Sequence, residues 1–251
     1  MDDSDVPAEA NPPWSIARAA GYSLLVGIAF FSVQIVVVFI VLAIGLSNDP
    51  ELNIEEWADR VESNGLVLSL ATIGTALLCV PFVKFLTGRR ESDPWAFLHL
   101  RSTNLRSILT WVLLLIAFVA VSDSLTLALG RPVVPEFMVG AYSSVHPVLL
   151  FTALVFAAPA FEEIFFRGFV LGALESSGVS AVFAAVVSSL AWSAIHMQYD
   201  LYGLGTVFLL GLLLAAARMK TGSLIPCLAM HGLANSIAFT EAAFTAAPGV
   251  V

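Results

Sequence analysis

The chain has 251 residues, of which 59% are hydrophobic and only 12% are charged. Soluble domains carry roughly 25% charged residues, so this composition excludes an ordinary soluble protein. The formal net charge of −8 argues against nucleic-acid binding, which needs a basic surface. Two cysteines, Cys79 and Cys227, lie in apolar runs without metal-ligand spacing, and they predict no disulfide framework.

Apolar runs close to 20 residues long recur along the sequence and predict an all-α, polytopic transmembrane helical bundle of about seven spans. We expect an acidic tail over residues 1–20 and a single transmembrane domain over residues 21–251, with its motif-bearing core at 147–244. The acidic start of the chain is unlike a signal peptide, so the first run should remain as a helix. The expected spans are Gly21–Leu46, Gly65–Leu86, Ile108–Leu129, Pro147–Glu175, Val179–Tyr199, Leu201–Lys220 and Leu224–Phe244.

The basic residues are distributed unevenly between the predicted loops. The second and sixth loops hold most of them: Lys84, Arg89, Arg90, Arg101, Arg106, Arg218 and Lys220. The loops on the opposite side hold only Arg60 and Arg131, and the first loop is strongly acidic. The positive-inside rule then predicts a protein of the cell membrane whose N-terminus and even-numbered loops are cytoplasmic.

The fourth span contains three ionisable residues, Glu162, Glu163 and Arg167, in an otherwise apolar run. One charge at the centre of a bilayer costs roughly 2.5 to 3.5 kcal/mol on insertion scales, so three such groups must pair, reach water or take part in chemistry. A rise of about 1.5 Å per residue places further polar groups of the fifth and seventh spans in the same middle layer. These further groups are His196, His231 and Asn235. Carboxylates, imidazoles and an amide at one depth predict a buried hydrolytic site.

Helical spacing separates the two glutamates. Glu163 and Arg167 are four residues apart, so they share a helix face and can form an ion pair, either as plain neutralisation or to position other groups. Glu162 points about 100° away and has no partner nearby in the sequence. A carboxylate without an ion partner is free to accept a proton, which suits a general base. We therefore assign Glu162 to chemistry, and Glu163 with Arg167 to positioning and electrostatics.

Three short motifs appear in order within residues 155–239. They are Glu-Glu-x-x-x-Arg from Glu162 to Arg167, Trp-x-x-x-His from Trp192 to His196, and His-x-x-x-Asn from His231 to Asn235. Together they resemble the CAAX protease and bacteriocin-processing family, also called the Abi or CPBP family. Its members are intramembrane proteases and include the prenyl-protein endopeptidase of eukaryotes. The family pattern usually has Phe where this chain has Trp192, which changes a packing residue and not a candidate ligand.

The resemblance implies roles for these residues. Glu162 would activate water for attack on a peptide carbonyl, assisted by His196. His231 and Asn235 would stabilise the oxyanion or help to hold the water, and the Glu163–Arg167 pair would orient the constellation. No Gly-x-Ser-x-Gly arrangement offers another nucleophile.

A metal is the one cofactor that the sequence suggests. One glutamate and two histidines can hold Zn²⁺ with an open fourth position, and the candidate ligands are Glu162, His196 and His231.

Three classes of function stay open. The first is an intramembrane endopeptidase that cuts a lipid-associated or small membrane peptide by Glu/His-activated water. The second is a non-catalytic scaffold or immunity protein on the same fold. The third is a proton-coupled transporter that uses the buried carboxylates as a relay. Expected partners are membrane lipid and a peptide or lipidated protein substrate, without nucleic acid; the oligomeric state is not predicted.

Overall fold

The computed structural model describes residues 14–247, and this part of the chain is 81% helix and contains no β-strand. The main helices are α1 Ile16–Asn48, α2 Gly65–Gly88, α3 Leu105–Ala128, α4 Pro147–Ser176, α5 Ala181–Ala194, α6 Leu201–Thr221 and α7 Ile225–Ala246. Short helices lie in the connections at Ile54–Asp59, Pro94–Phe97 and Glu136–Ser143, together with a 3₁₀ turn at Val61–Ser63. The predicted all-α class is therefore confirmed.

A helix occurs at each of the predicted positions, but the count of about seven spans is not confirmed. Within residues 14–247, five helices, α1, α2, α3, α4 and α6, are long and apolar enough to cross a membrane. Helix α5 has 14 residues, and α7 has 22 but does not reach the same apolar character. These helices make the chain a multi-pass membrane protein.

Helix ends follow the polar residues that cap them. Ser15 accepts a hydrogen bond from the backbone of Arg18 at 3.2 Å, so α1 begins at Ile16, inside the predicted tail 1–20. Residues 1–13 of that tail lie outside the described residues. Helix α5 ends at Ala194, before the predicted Tyr199, and His196 therefore lies in the connection that leads to the Asp200 cap of α6.

The connections between the main helices lie alternately at the two ends of the bundle. At one end, the backbone of Leu224 after α6 donates to the carbonyl of His99 at 2.9 Å, and Arg218 forms an ion pair with Glu175 near the end of α4. At the other end, the backbone of Gly65 donates to Ser144 at 2.7 Å. The main helices therefore run alternately up and down, as a chain with short connections between adjacent spans requires.

Helix α4 occupies the centre of the bundle. All residues from Glu163 to Val170 are buried, whereas α3 buries only Leu115 and Thr126. Helices α2, α5 and α7 pack around α4. The exposed apolar faces of α1 and α3 are suited to lipid contact, and the polar groups of α4 are left in the protein interior.

Candidate active site

The Glu163 side chain joins α4 to α7 through a buried ionic contact. Its Oε1 atom accepts from Arg167 Nη1 at 3.0 Å and from His231 Nδ1 at 2.7 Å. The side chains of Glu163 and Arg167 are both 0% exposed. The predicted ion pair is thus present, and its Glu163 also accepts a hydrogen bond from a histidine 68 residues away in the sequence.

The contact with Glu163 determines which nitrogen of His231 faces the site. Because a carboxylate only accepts hydrogen bonds, the proton of that contact belongs to Nδ1 of the imidazole. The second ring nitrogen, Nε2, lies 3.8 Å from Oε2 of Glu162. His231 is therefore anchored by Glu163 on one side and points toward Glu162 on the other.

Glu162 has a different environment from its neighbour. Its Oε2 atom accepts from the indole N–H of Trp192, and its side chain keeps 13% of its surface exposed. Neither lysine nor arginine pairs with it in the described range 14–247. The carboxylate is therefore held on one side while remaining accessible, as a proton acceptor for a bound water must be.

His196 follows the end of α5 and is positioned by a local contact. Its Nδ1 bonds to the carbonyl of Trp192 at 2.9 Å, and the rings of these two residues lie 5.1 Å apart between centroids. Since a carbonyl only accepts, Nδ1 is the donor and Nε2 remains for other contacts. The Trp192 ring lies 5.3 Å from that of His231, so it brings both histidines to the same place.

Asn235 donates a hydrogen bond to the backbone of α4 at a point where that helix departs from regular α-helical winding. Its Nδ2 donates to the carbonyl oxygen of Leu154 at 2.7 Å. Residues 153–157 form a π turn in which the N–H of Ala158 bonds to the carbonyl of Ala153, five residues back. Pro159 has no N–H to offer, so the carbonyl of Leu154 loses its partner within the helix. The side-chain amide of Asn235 thus replaces the backbone donor that this carbonyl lacks. Its predicted role at the oxyanion stays a prediction.

Two glycines allow the helices to approach the site closely. A Cβ added to Gly211 of α6 would lie 3.0 Å from Cε3 of Trp192 and 3.1 Å from Nη2 of Arg167. A Cβ added to Gly232 of α7 would lie 3.1 Å from the carbonyl oxygen of Val155. Sequence reasoning missed both positions, because a glycine in an apolar helix gives no sign of what packs against it.

Tyr199 is a further residue that the motifs did not identify. It lies in the connection after α5, with its ring centroid 6.2 Å from that of His196. Burial and the nearby charge of Glu162 raise the pKa of Tyr199 to about 12, so it stays a neutral hydrogen-bond donor. Its position one turn beyond His196 was the only available signal.

The predicted zinc ligands do not form a metal-binding set in this arrangement. Among residues 14–247, no group of three His, Cys, Asp or Glu side chains is placed to hold a metal ion. Of the proposed ligands, Glu162 keeps Oε1 beyond its contact with Trp192, and His196 keeps Nε2 beyond its contact with a backbone carbonyl. The zinc site therefore stays a prediction, and no step of the proposed reaction depends on a metal.

Comparisons with known proteins agree with the motifs. Residues 144–237 match the family described as type II CAAX prenyl endopeptidase Rce1-like. An Escherichia coli protein named "Uncharacterized 24.3 kDa protein" is 32% identical over 181 residues, which cover 69% of this chain and 79% of the relative. No solved structure matches the chain. Since the matched segment contains both glutamates and both histidines of the site, the chain belongs to the CAAX protease and bacteriocin-processing family of membrane proteases.

Proposed function

We propose that the protein is an intramembrane endopeptidase in which Glu162 is the general base. The observation that carries this proposal is the contrast between the two glutamates. Glu163 is fully buried and bound by a guanidinium and an imidazole, whereas Glu162 is 13% exposed and has no cationic side chain of lysine or arginine against it within the described chain. Only Glu162 is free to bind and deprotonate a water.

The proposed reaction is hydrolysis of a peptide bond. Glu162 takes a proton from water as the water oxygen bonds to the substrate carbonyl carbon, and the carbonyl oxygen becomes an oxyanion. The tetrahedral intermediate then collapses, the C–N bond breaks, and the proton held by Glu162 passes to the leaving amine. Donors aimed at the oxyanion stabilise it strongly in a site without bulk water.

The histidines supply the donors in this proposal. His231 donates Nδ1–H to Glu163 and turns Nε2 toward Glu162, and in its protonated form this nitrogen can donate to the oxyanion. His196 has Nε2 available to assist the water or the oxyanion. Asn235 retains a second N–H and its side-chain oxygen beyond the bond to Leu154, and we assign these to the bound water.

The proposed substrate is a lipid-associated or small membrane peptide. A site at this depth favours a scissile bond within or near the bilayer, because extended backbone is costly to expose to lipid. The basic residues of the second and sixth connections support a cytoplasmic N-terminus. A soluble folded protein should not be cleaved.

The proposal is tested with purified protein in lipid against farnesylated and unmodified membrane peptides. Wild type, Glu162→Gln and the matched control Glu241→Gln are compared, each with and without a chelator. We expect cleavage by wild type and by Glu241→Gln, and no product from Glu162→Gln. Chelator sensitivity would establish a metal requirement, which the ligand geometry does not predict.

The other outcomes separate the alternative functions. Equal cleavage by wild type and Glu162→Gln would contradict a base at this position. A wild type that cleaves no peptide but transports protons into liposomes would favour the transporter. Biological function that survives Glu162→Gln would favour the scaffold or immunity protein.

A further inference from the structure

Trp192 contacts site residues from both α4 and α7. It is 2% exposed, and its indole N–H donates to Oε2 of Glu162. The guanidinium carbon of Arg167 lies 4.1 Å from the ring centroid. The rings of both site histidines pack edge-on against it. The side chain of Trp192 therefore contacts Glu162, Arg167 and both histidines of the site.

The indole N–H makes the two oxygens of Glu162 unequal. Oε2 accepts from Trp192, whereas Oε1 has no hydrogen-bond partner among residues 14–247. Fixing one oxygen of a carboxylate sets the direction in which the other presents its lone pairs. A phenylalanine ring would fill nearly the same volume but could not donate this bond.

The indole ring also contacts Arg167. Residues 163–170 form a π segment, in which residues five apart are hydrogen-bonded along the helix. Arg167 follows Glu162 by five residues and Glu163 by four. The ring of Trp192 covers the face of the guanidinium, and the ion pair present is with Glu163 at 3.0 Å. A cation paired with Glu162 instead would reduce its ability to accept a proton.

We propose that Trp192 is a positioning residue of this site. Its N–H holds Oε2 of Glu162 so that Oε1 is the oxygen that receives the proton. The catalytic consequence rests on the proposed function, whereas the hydrogen bond is a property of the fold and can be tested without a substrate.

The hydrogen bond is tested by NMR of protein labelled with ¹⁵N at the indole nitrogens. The chain has five tryptophans, so five indole N–H signals are expected, and Trp192→Phe identifies one by its loss. In Glu162→Gln this signal should move while the other signals stay, because a carboxylate is a stronger acceptor than a neutral amide. A Trp192 signal that is unchanged in Glu162→Gln would overturn the inference.

The positioning role is tested by steady-state cleavage of the farnesylated peptide. Trp192→Phe should lower kcat by about 10- to 100-fold, the range for loss of a hydrogen bond to a charged group, with KM within about twofold. Replacement of Trp192 by benzothienylalanine, which exchanges only N–H for sulfur, should have the same effect at an unchanged melting temperature. The control Trp111→Phe alters a partly buried indole of α3 and should leave kcat unchanged.

The two measurements distinguish failure of the inference from failure of the proposed function. Cleavage at the wild-type rate by both Trp192 variants would overturn the positioning role even if Glu162 is the base. If wild type cleaves none of the peptides, the proposed function fails, and the NMR experiment decides the inference by itself.

Discussion

Two adjacent carboxylates of α4 have different surroundings. Glu163 is 0% exposed and bound on one oxygen by Arg167 and His231, while Glu162 keeps 13% exposure and a single donor from an indole. Sequence reasoning predicted the ion pair from the spacing of four residues, and the structure confirms it. The contact to His231 was not predicted, because the spacing of residues on α4 carries no information about α7.

Substitution of Glu163 should impair the fold, whereas substitution of Glu162 should impair only the chemistry. Glu163→Gln leaves Arg167 buried without its counter-charge, and breaking a buried pair in this way costs about 3–5 kcal/mol. We expect a clearly lower melting temperature in detergent for Glu163→Gln, and a value close to wild type for Glu162→Gln. Equal destabilisation by both substitutions would contradict the assignment of separate roles.

At the scale of the element, α4 departs from regular α-helix where the site is built. The π turn at 153–157 and the proline at 159 leave the carbonyl of Leu154 without a partner in its own helix, and Asn235 of α7 supplies one. The later π segment carries both Glu163 and Arg167. Irregular winding of this kind often occurs at functional sites, because it turns side chains and carbonyls out of their usual directions.

The bond between Asn235 and Leu154 should be coupled to Pro159. Asn235→Ala leaves the partly buried carbonyl of Leu154 unpaired, at a cost of about 0.5–1.5 kcal/mol, the net value of a typical hydrogen bond. Pro159→Ala supplies an N–H within the same turn, so Asn235→Ala should be less destabilising in that background. The measurement is a double-mutant cycle of melting temperatures, with Ser236→Ala as control because that hydroxyl bonds within its own helix. Purely additive effects would contradict the vacant-bond explanation.

Close packing of α6 against the site should make Gly211 sensitive to a single methyl group. In Gly211→Ala the new Cβ would lie 3.0 Å from Trp192 and 3.1 Å from Arg167, so these side chains must move and activity should fall. Gly205 lies on the same helix with nothing within 4 Å of an added Cβ, so Gly205→Ala should be neutral or stabilise by up to about 1 kcal/mol. Equal activity of the two variants would show that the contact at Gly211 is not needed.

At the scale of the whole molecule, alternating helices place the second, fourth and sixth connections at one end of the bundle. These connections are joined by Arg218, which pairs with Glu175 and contacts His99 at 3.3 Å. The basic residues that predict the cytoplasmic side belong to the second and sixth of them. The fold therefore places both basic connections at the same end of the bundle, as the positive-inside rule requires of one orientation for the whole chain.

Orientation is testable by cysteine labelling without removing native residues, since Cys79 and Cys227 are both buried. Exposed positions on either side of α2 are replaced in turn, as Glu51→Cys and Ser102→Cys. We expect an impermeant maleimide to label Glu51→Cys in intact cells and Ser102→Cys only after permeabilisation. The reverse pattern would overturn the predicted cytoplasmic N-terminus.

By itself the sequence determined the helices and the residue types of the site. Runs of apolar residues, and polar residues four apart, are local properties, so they predicted a helix at each position, the Glu163–Arg167 pair and the gathering of polar groups in one layer. Local rules were less reliable at helix ends. Helix α1 starts at Ile16 and not at Gly21, and α5 stops at Ala194, because capping contacts decide where a helix ends.

Only the tertiary structure decided how those residues contact one another. Trp192 appeared in the sequence as a packing residue, yet its N–H bonds to Glu162 across 30 residues. Asn235 donates to the carbonyl of Leu154, 81 residues away. That carbonyl has no backbone partner in its own helix, because a π turn precedes a proline. Such contacts depend on the packing of α4 against α5 and α7, and on the winding of α4 itself. Residue spacing along one helix carries no information about this packing or this winding, so only the folded chain shows which groups each polar side chain contacts.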